Sequence, residues 1–289
     1  MSEVLHGKIR ADSPKAPATA TFTSNAPRRY TAVVLAADRT SDDPLAVAAG
    51  VPSKCLVPVA GKPMVLRVLD TLAAAREVEA IILCGPQRAV VDREAELQAR
   101  ITSGKVTWVA NREGPSASAF HVLQTLPEST QVLVTTADHA LLTAPMADHF
   151  CSQARSTGAD IVVGLAAHDL VQAAFPGTKR TVIQVRERGY CTCNLFAFLT
   201  PWSRSVADFW RRAEGQRKNR LRLIGAFGWW SVVLYLLKLL TLRQGLERIS
   251  RRLGLRADAV LMPFPEAAVD VDTIGDWKLV EAIAARGKP

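Results

Sequence analysis

Short apolar runs that alternate with helical patterns constrain this chain more than any other feature. Tyr30 to Ala37, Ala80 to Gly85, Val106 to Asn111, Gln131 to Asp138 and Ala159 to Ala167 have the length and β-branched content of buried strands. Between them Pro63 to Ala75, Pro86 to Arg100, Pro115 to Leu126 and Ala144 to Thr157 have helical spacing. Pro63, Pro86 and Pro115 each open such a segment, where a first turn accepts a residue without an N–H. The helix after Gly61 places Met64, Val65, Val68, Leu69 and Leu72 on one apolar stripe. Repeated β-α alternation predicts a mainly parallel α/β sheet covered on both faces, with ligands at the carboxyl ends of the strands.

Further along, Thr181 to Glu187 and Tyr190 to Thr200 flank Arg188-Gly189 and predict a β-hairpin beside the parallel sheet. Ala259 to Phe264 and a last helix from Ile274 to about Ala285 close the chain. Residues 1–29, rich in Ala, Pro, Ser and Thr, have no apolar core of secretory length and are read as a tail before one domain at 30–289. The five cysteines (Cys55, Cys84, Cys151, Cys191 and Cys193) lack a metal-binding or disulfide pattern, and Cys191-x-Cys193 reads as a pair of buried thiols in a reducing compartment.

Chemistry is expected where strands end. Asp138 closes the run Val132 to Ala137, so its carboxylate would stand at the sheet's carboxyl edge. Asp270-Val271-Asp272 offers a second acidic site in which alternate residues face one side, so that one aspartate can ligate and the other support it. A Mg²⁺ ion needs one or two such carboxylates and completes its shell with phosphate oxygens and water. Capping of the following elements is the alternative use of these aspartates. Arg39 and Lys54, between the first strand and the next helix, can neutralise charge on a phosphoryl group in transfer. Lys179 and Arg180, with Asn194 in the hairpin, could hold an acceptor's phosphate and hydroxyl, or could be exposed edge residues.

The order Leu35-Ala36-Ala37, Arg39, Lys54, Leu56, Pro58-Val59, Gly61-Lys62-Pro63-Met64, Gly114-Pro115, Ser118, Thr136-Ala137-Asp138 and Asp270-Val271-Asp272-Thr273 resembles the MobA-like nucleoside triphosphate transferases. That family is related to sugar-phosphate and methylerythritol-phosphate cytidylyltransferases. The resemblance runs from about Tyr30 to Ala285 and is weaker between Leu165 and Leu261. It implies a Rossmann-like GT-A fold, Mg²⁺, and transfer of a nucleoside monophosphate to a phosphorylated small molecule or lipid precursor with release of pyrophosphate. By position it makes Arg39 and Lys54 catalytic and gives the metal to Asp138 and Asp272. It puts Leu35, Ala36, Ala37, Asp38, Gly114 and Ser118 around the nucleotide. CTP is weakly favoured as the donor, and no residue of the sequence chooses the base. Asp38 stands where such families show glycine, which lets backbone approach phosphates.

The net charge of +9 is concentrated in one stretch. From Arg211 to Arg256 there are twelve Lys and Arg against two acids, which leaves the remainder nearly neutral. This basic insertion contains a fifteen-residue uncharged run, Leu223 to Leu237, too short for a membrane span. Trp229, Trp230 and Tyr235 with the flanking cations suit an anionic membrane surface through residues 217–243; the domain core or a homodimer interface would bury the run equally well. Few aromatic residues per cation argue against nucleic acid. The combined expectation is a cytoplasmic nucleotidyltransferase, peripheral on the inner face of a membrane where the basic run meets lipid. A GT-A glycosyltransferase using Asp270-x-Asp272 and a degenerate nucleotide-binding scaffold are the alternatives.

Overall fold

The computed structural model describes residues 29–38, 42–215 and 240–286. Arg39, residues 1–28 and the apolar run at 223–237 therefore lie outside the described residues. In chain order the elements are β1 (Tyr30–Leu35), α1 (Pro44–Ala49), a 3-10 turn (Lys54–Leu56), the ribbon β2 (Pro58–Val59) and β3 (Lys62–Pro63), α2 (Met64–Ala74), β4 (Val78–Cys84), α3 (Arg88–Val91), α4 (Ala95–Thr102), β5 (Thr107–Val109), α5 (Pro115–Thr125) and β6 (Val132–Thr136). There follow α6 (Ala144–Ser156), β7 (Ile161–Ala167), α7 (His168–Ala174), β8 (Val182–Gln184), β9 (Gly189–Phe198), α8 (Arg204–Gly215), α9 (Leu242–Leu253), β10 (Ala257–Leu261) and α10 (Ile274–Arg286).

The main sheet runs β10-β7-β9-β6-β1-β4-β5, with β8 paired to β9. Every residue of β1 is buried, because both faces of the strand are covered. Tyr30, Ala32 and Val34 pack with Val65, Leu69 and Phe150 of α2 and α6. Val33 and Leu35 point the other way, onto Ala119, Val122 and Leu123 of α5 and Ala207 of α8. The period-two alternation of a strand thus builds two apolar layers from one continuous apolar run. β1 pairs in parallel with β4 on one side and β6 on the other, so the chain turns from one half of the sheet to the other between β1 and β6. That reversal is the topological position at which an open α/β sheet leaves a crevice.

The alternation predicts this mostly parallel sheet, and two details differ. The hairpin does not lie beside the sheet. Only β8 flanks it, whereas β9 runs antiparallel inside it, between β6 and β7. Cys191, Cys193, Leu195 and Ala197 bury one face in the core, and pairing with β6 and β7 satisfies backbone groups on both edges of the strand. The helix expected over Pro86 to Arg100 is split into α3 and α4. Val91 and Leu97 are both fully buried, and six residues apart on one continuous helix they would face different directions. The break lets both enter the core. All five cysteines are buried and free. No helix among the described residues is long and apolar enough to cross a membrane.

Candidate active site

The first candidate loop leaves β1 at Ala36, whose N–H donates to the Cys84 carbonyl at 2.9 Å. Gly85, at φ +79°, lets the two strand ends lie close; a Cβ there would stand 3.1 Å from the Ala37 nitrogen. Beyond Ala37, Asp38 turns its carboxylate back into the protein, where Oδ1 accepts the Lys54 N–H at 2.9 Å. Burial raises the Asp38 pKa, against the hydrogen bonds from Ser53 and Lys54. The residue in the glycine position is therefore a brace. It fixes the backbone from which the Lys54 side chain starts.

Lys54 reaches across the crevice between β1 and β6. Its Nζ lies 2.7 Å from Asp138 Oδ2 and 2.7 Å from Asp272 Oδ1. Burial works against the charged form of Lys54, but the two carboxylates outweigh it and hold its pKa above the ordinary lysine value. Residues of widely separated sequence thus meet at one cation. Asp138 follows β6 directly, and its carbonyl accepts the Val271 N–H at 3.1 Å, which ties the C-terminal acidic segment to the sheet edge. Val269 and Val271 are fully buried, so Asp270 and Asp272 project from the opposite side of an extended stretch.

The two aspartates of that stretch have different partners. Asp272 faces Lys54, while Asp270 is held by Arg180 and Asn194. Burial raises the Asp270 pKa, and the neighbouring charges of Asp138 and Asp272 push it the same way. Arg180 and Asn194 consequently direct their donors at this carboxylate, which separates Arg180 from Lys179 as a basic pair for an acceptor phosphate. Lys179 is exposed beside them.

Asp138 supplies the direct test for a metal. Its Oδ1 is buried and has no hydrogen-bond partner, an unfilled acceptor beside a second carboxylate. Hard oxygen donors of this kind fit the chemistry of Mg²⁺, and Asp138 and Asp272 are the carboxylates placed where they could hold it. Among the described residues no cluster of three or more His, Cys, Asp or Glu forms a complete protein cage. An ion that retains water and substrate phosphate in its shell does not need one.

Beside the crevice a cavity of about 420 Å³ is lined by Leu35, Ala37, Asp38, Cys84, Arg112 to Ser118 and Arg211. Gly114, in extended conformation at φ −166°, caps α5, so the helix N-terminus opens toward this space. Ser118 is almost fully buried, and its hydroxyl accepts the Arg112 N–H at 2.9 Å, which fastens the loop to the helix. Burial pushes the Cys84 thiol up to about 11, so it is an apolar wall of the cavity.

A family description for the MobA-like NTP transferase domain matches residues 32–224. The chain belongs to this family. It is accordingly a nucleotidyltransferase, with the mainly parallel, helix-flanked sheet of its relatives. A structure described as a hypothetical transferase from Thermus thermophilus is 30% identical, covers 86% of this chain and 99% of its own, and superimposes with a TM-score of 0.70. CMP:2-keto-3-deoxy-manno-octonic acid synthetase in complex with CTP is 14% identical, with 90% and 100% coverage and a TM-score of 0.55. The 2-C-methyl-D-erythritol 4-phosphate cytidylyltransferase of Thermus thermophilus is also 14% identical, with 89% and 99% coverage and a TM-score of 0.53. No curated protein sequence matches the chain.

Three residues near the crevice are not singled out in the sequence. Arg112 and Arg211 line the cavity from the α5 loop and from α8. Arg211 lies over the Phe120 ring at 5.2 Å and is paired with Asp208 at 2.6 Å. Arg112 could have been suspected from its place just before Gly114-Pro115, whereas only tertiary packing brings Arg211 to the cavity. The third is His139, buried beside Asp138. Burial depresses its pKa to about 4, so it is a neutral packing residue at neutral pH.

The Asp38 brace leads to a further expectation. Asp38→Asn keeps an oxygen for the Lys54 N–H and removes a negative charge from the cavity wall. At roughly 1 kcal/mol of relieved repulsion, the KM for the triphosphate should fall about fivefold with kcat little changed. Steady-state kinetics of the two proteins measure this directly; an unchanged or higher KM would show that the charge, turned onto the Lys54 N–H, does not act on the triphosphate.

Proposed function

We propose that this nucleotidyltransferase is Mg²⁺-dependent and moves a cytidine monophosphate from CTP to a phosphorylated acceptor, releasing pyrophosphate. The observation that carries the reading is the convergence of Lys54 with Asp138 and Asp272 at the carboxyl edge of the sheet, next to a cavity of nucleotide-ring size. CTP is favoured because two structural neighbours are cytidylyltransferases or hold CTP, a choice the cavity residues do not contradict.

In this reading the base enters the cavity beside Gly114 and the triphosphate extends toward Lys54. An acceptor phosphate oxygen forms a bond to the α-phosphorus, the bond to the bridging oxygen of the β-phosphate breaks, and that oxygen leaves on pyrophosphate with the electron pair. A phosphate monoester is already largely ionised at neutral pH, with its second pKa near 6, so no general base is needed. Lys54 lies where it can neutralise charge as it gathers on the α-phosphoryl oxygens, and Asp138 and Asp272 fix its ammonium in place. Arg39 lies outside the described residues and, from its place in the sequence after β1, is proposed to share that role. Mg²⁺, held by Asp138 and Asp272, would supply electrophilic assistance and offset the charge of the triphosphate. Of the residues suggested for the acceptor, Lys179 stays exposed and is proposed to meet its phosphate.

Thermal denaturation with CTP, GTP, ATP or UTP and Mg²⁺ tests the donor. At about a hundredfold excess over Kd, the cognate nucleotide adds about 2.7 kcal/mol, which is a rise of several degrees in Tm. CTP is expected to give the largest shift. A larger shift with another triphosphate would reassign the base, and none with any of the four would remove the triphosphate reading.

A further inference from the structure

Arg180 is buried deeper than any surface phosphate clamp needs to be, with its side chain only 7% exposed. Its Nη1 donates to Asp270 Oδ1 at 2.6 Å and to the Asp270 carbonyl at 3.1 Å, while Nη2 donates to Asp276 Oδ1 at 2.9 Å. From the long strand β9, Asn194 donates its amide to the other Asp270 oxygen at 2.9 Å. It does so from a left-handed backbone conformation, φ +49°. A non-glycine residue holds that conformation when its surroundings over-determine it.

These bonds all converge on the segment that carries Asp272. Asp276 Oδ2 accepts the Thr273 N–H at 2.9 Å and the Thr273 hydroxyl at 2.7 Å, so Arg180 grips the segment on both sides of Asp272. On its remaining flank the segment is pinned by the Val271 N–H to the Asp138 carbonyl. Asp272 itself stays half exposed and directed at Lys54. A planar guanidinium that forks between two carboxylates and a carbonyl sets geometry in a way a flexible ammonium cannot.

We infer that Arg180 and Asn194 are positioning residues that fix Asp272 relative to Asp138 and so determine the affinity of the divalent-cation site. This inference rests on the metal reading given above. It assigns the pair to the Asp270–Asp276 segment instead of to the acceptor.

The decisive measurement is the affinity of the purified protein for Mn²⁺ alone, followed by the electron paramagnetic resonance signal of the free ion and requiring no turnover. Loss of a group that orients a metal ligand weakens binding about 10- to 100-fold, which is the change expected for Arg180→Ala. Arg180→Lys retains the charge but not the fork, and should remain weakened; recovery to wild-type affinity would reduce the role to charge balance and overturn the inference. Because Arg180→Ala removes the cation from between two part-buried carboxylates, Asn194→Gly provides a milder variant that tolerates φ +49° and removes only one amide. It is expected to weaken Mn²⁺ binding at least about threefold while circular dichroism stays native. Unchanged Mn²⁺ affinity in these folded variants, with wild-type binding intact, overturns the inference alone. Equal Mn²⁺ affinity in the wild type and in Asp138→Ala overturns the metal reading, and the inference with it.

Discussion

Asp138→Ala is expected to reduce pyrophosphate release by about 100- to 1,000-fold in kcat/KM, a loss of about 3 to 4 kcal/mol of transition-state stabilisation. The substitution removes the carboxylate that carries both one of the two bonds to the Lys54 ammonium and the unfilled, buried Oδ1. The same variant should lose the Mg²⁺-dependent part of the thermal shift given by CTP, and keep a native circular dichroism spectrum. Pyrophosphate release measured with the cognate triphosphate and acceptor checks the first expectation. Turnover within a few fold of wild type would end the assignment of Asp138.

Lys54→Met separates the cation from the carboxylates it joins. The aliphatic stem is preserved and the ammonium is lost, so a fall of about 100-fold in kcat is expected from the missing charge neutralisation. The two aspartates then face each other without their shared partner. A destabilisation of about 1 to 3 kcal/mol should follow, since removal of one member leaves a partly buried charge unpaired. In contrast to Asp138→Ala, the half-activating Mg²⁺ concentration should not rise, because both carboxylates remain and no longer share their oxygens with Nζ. Mg²⁺ titrations of the residual activity distinguish the two variants; a Lys54→Met enzyme that needs far more Mg²⁺ than wild type would show that the lysine organises the aspartates rather than acting on phosphate.

The α/β alternation was legible because the central strands β1 and β6 are buried along their length and helices such as α2 bury one apolar stripe, so period and composition report the same element. Asp138 was legible for a related reason: it follows an apolar strand directly, and a strand's carboxyl end projects into the crevice. The internal place of β9 was not. Whether a hairpin strand flanks a sheet or enters it depends on which strands pair with its two edges, and Cys191 to Phe198 has the same local pattern in both cases. The split of α3 from α4 is of the same kind, decided by where Val91 and Leu97 must go.

Two site residues show the boundary most clearly. The resemblance puts Asp38 at the nucleotide in place of a glycine, and the tertiary structure turns its carboxylate onto the Lys54 N–H, an acceptor–donor match between residues sixteen apart. Arg180 suggested an exposed clamp, yet it is buried between Asp270 and Asp276. By itself the sequence determined the layered sheet, the edge on which chemistry would occur and the residue types available there, since these follow from burial period and from what a phosphoryl group demands. Only the tertiary structure decided which charges meet. Pairing among residues up to 218 positions apart depends on how strands are ordered and loops are braced, and no local pattern encodes that.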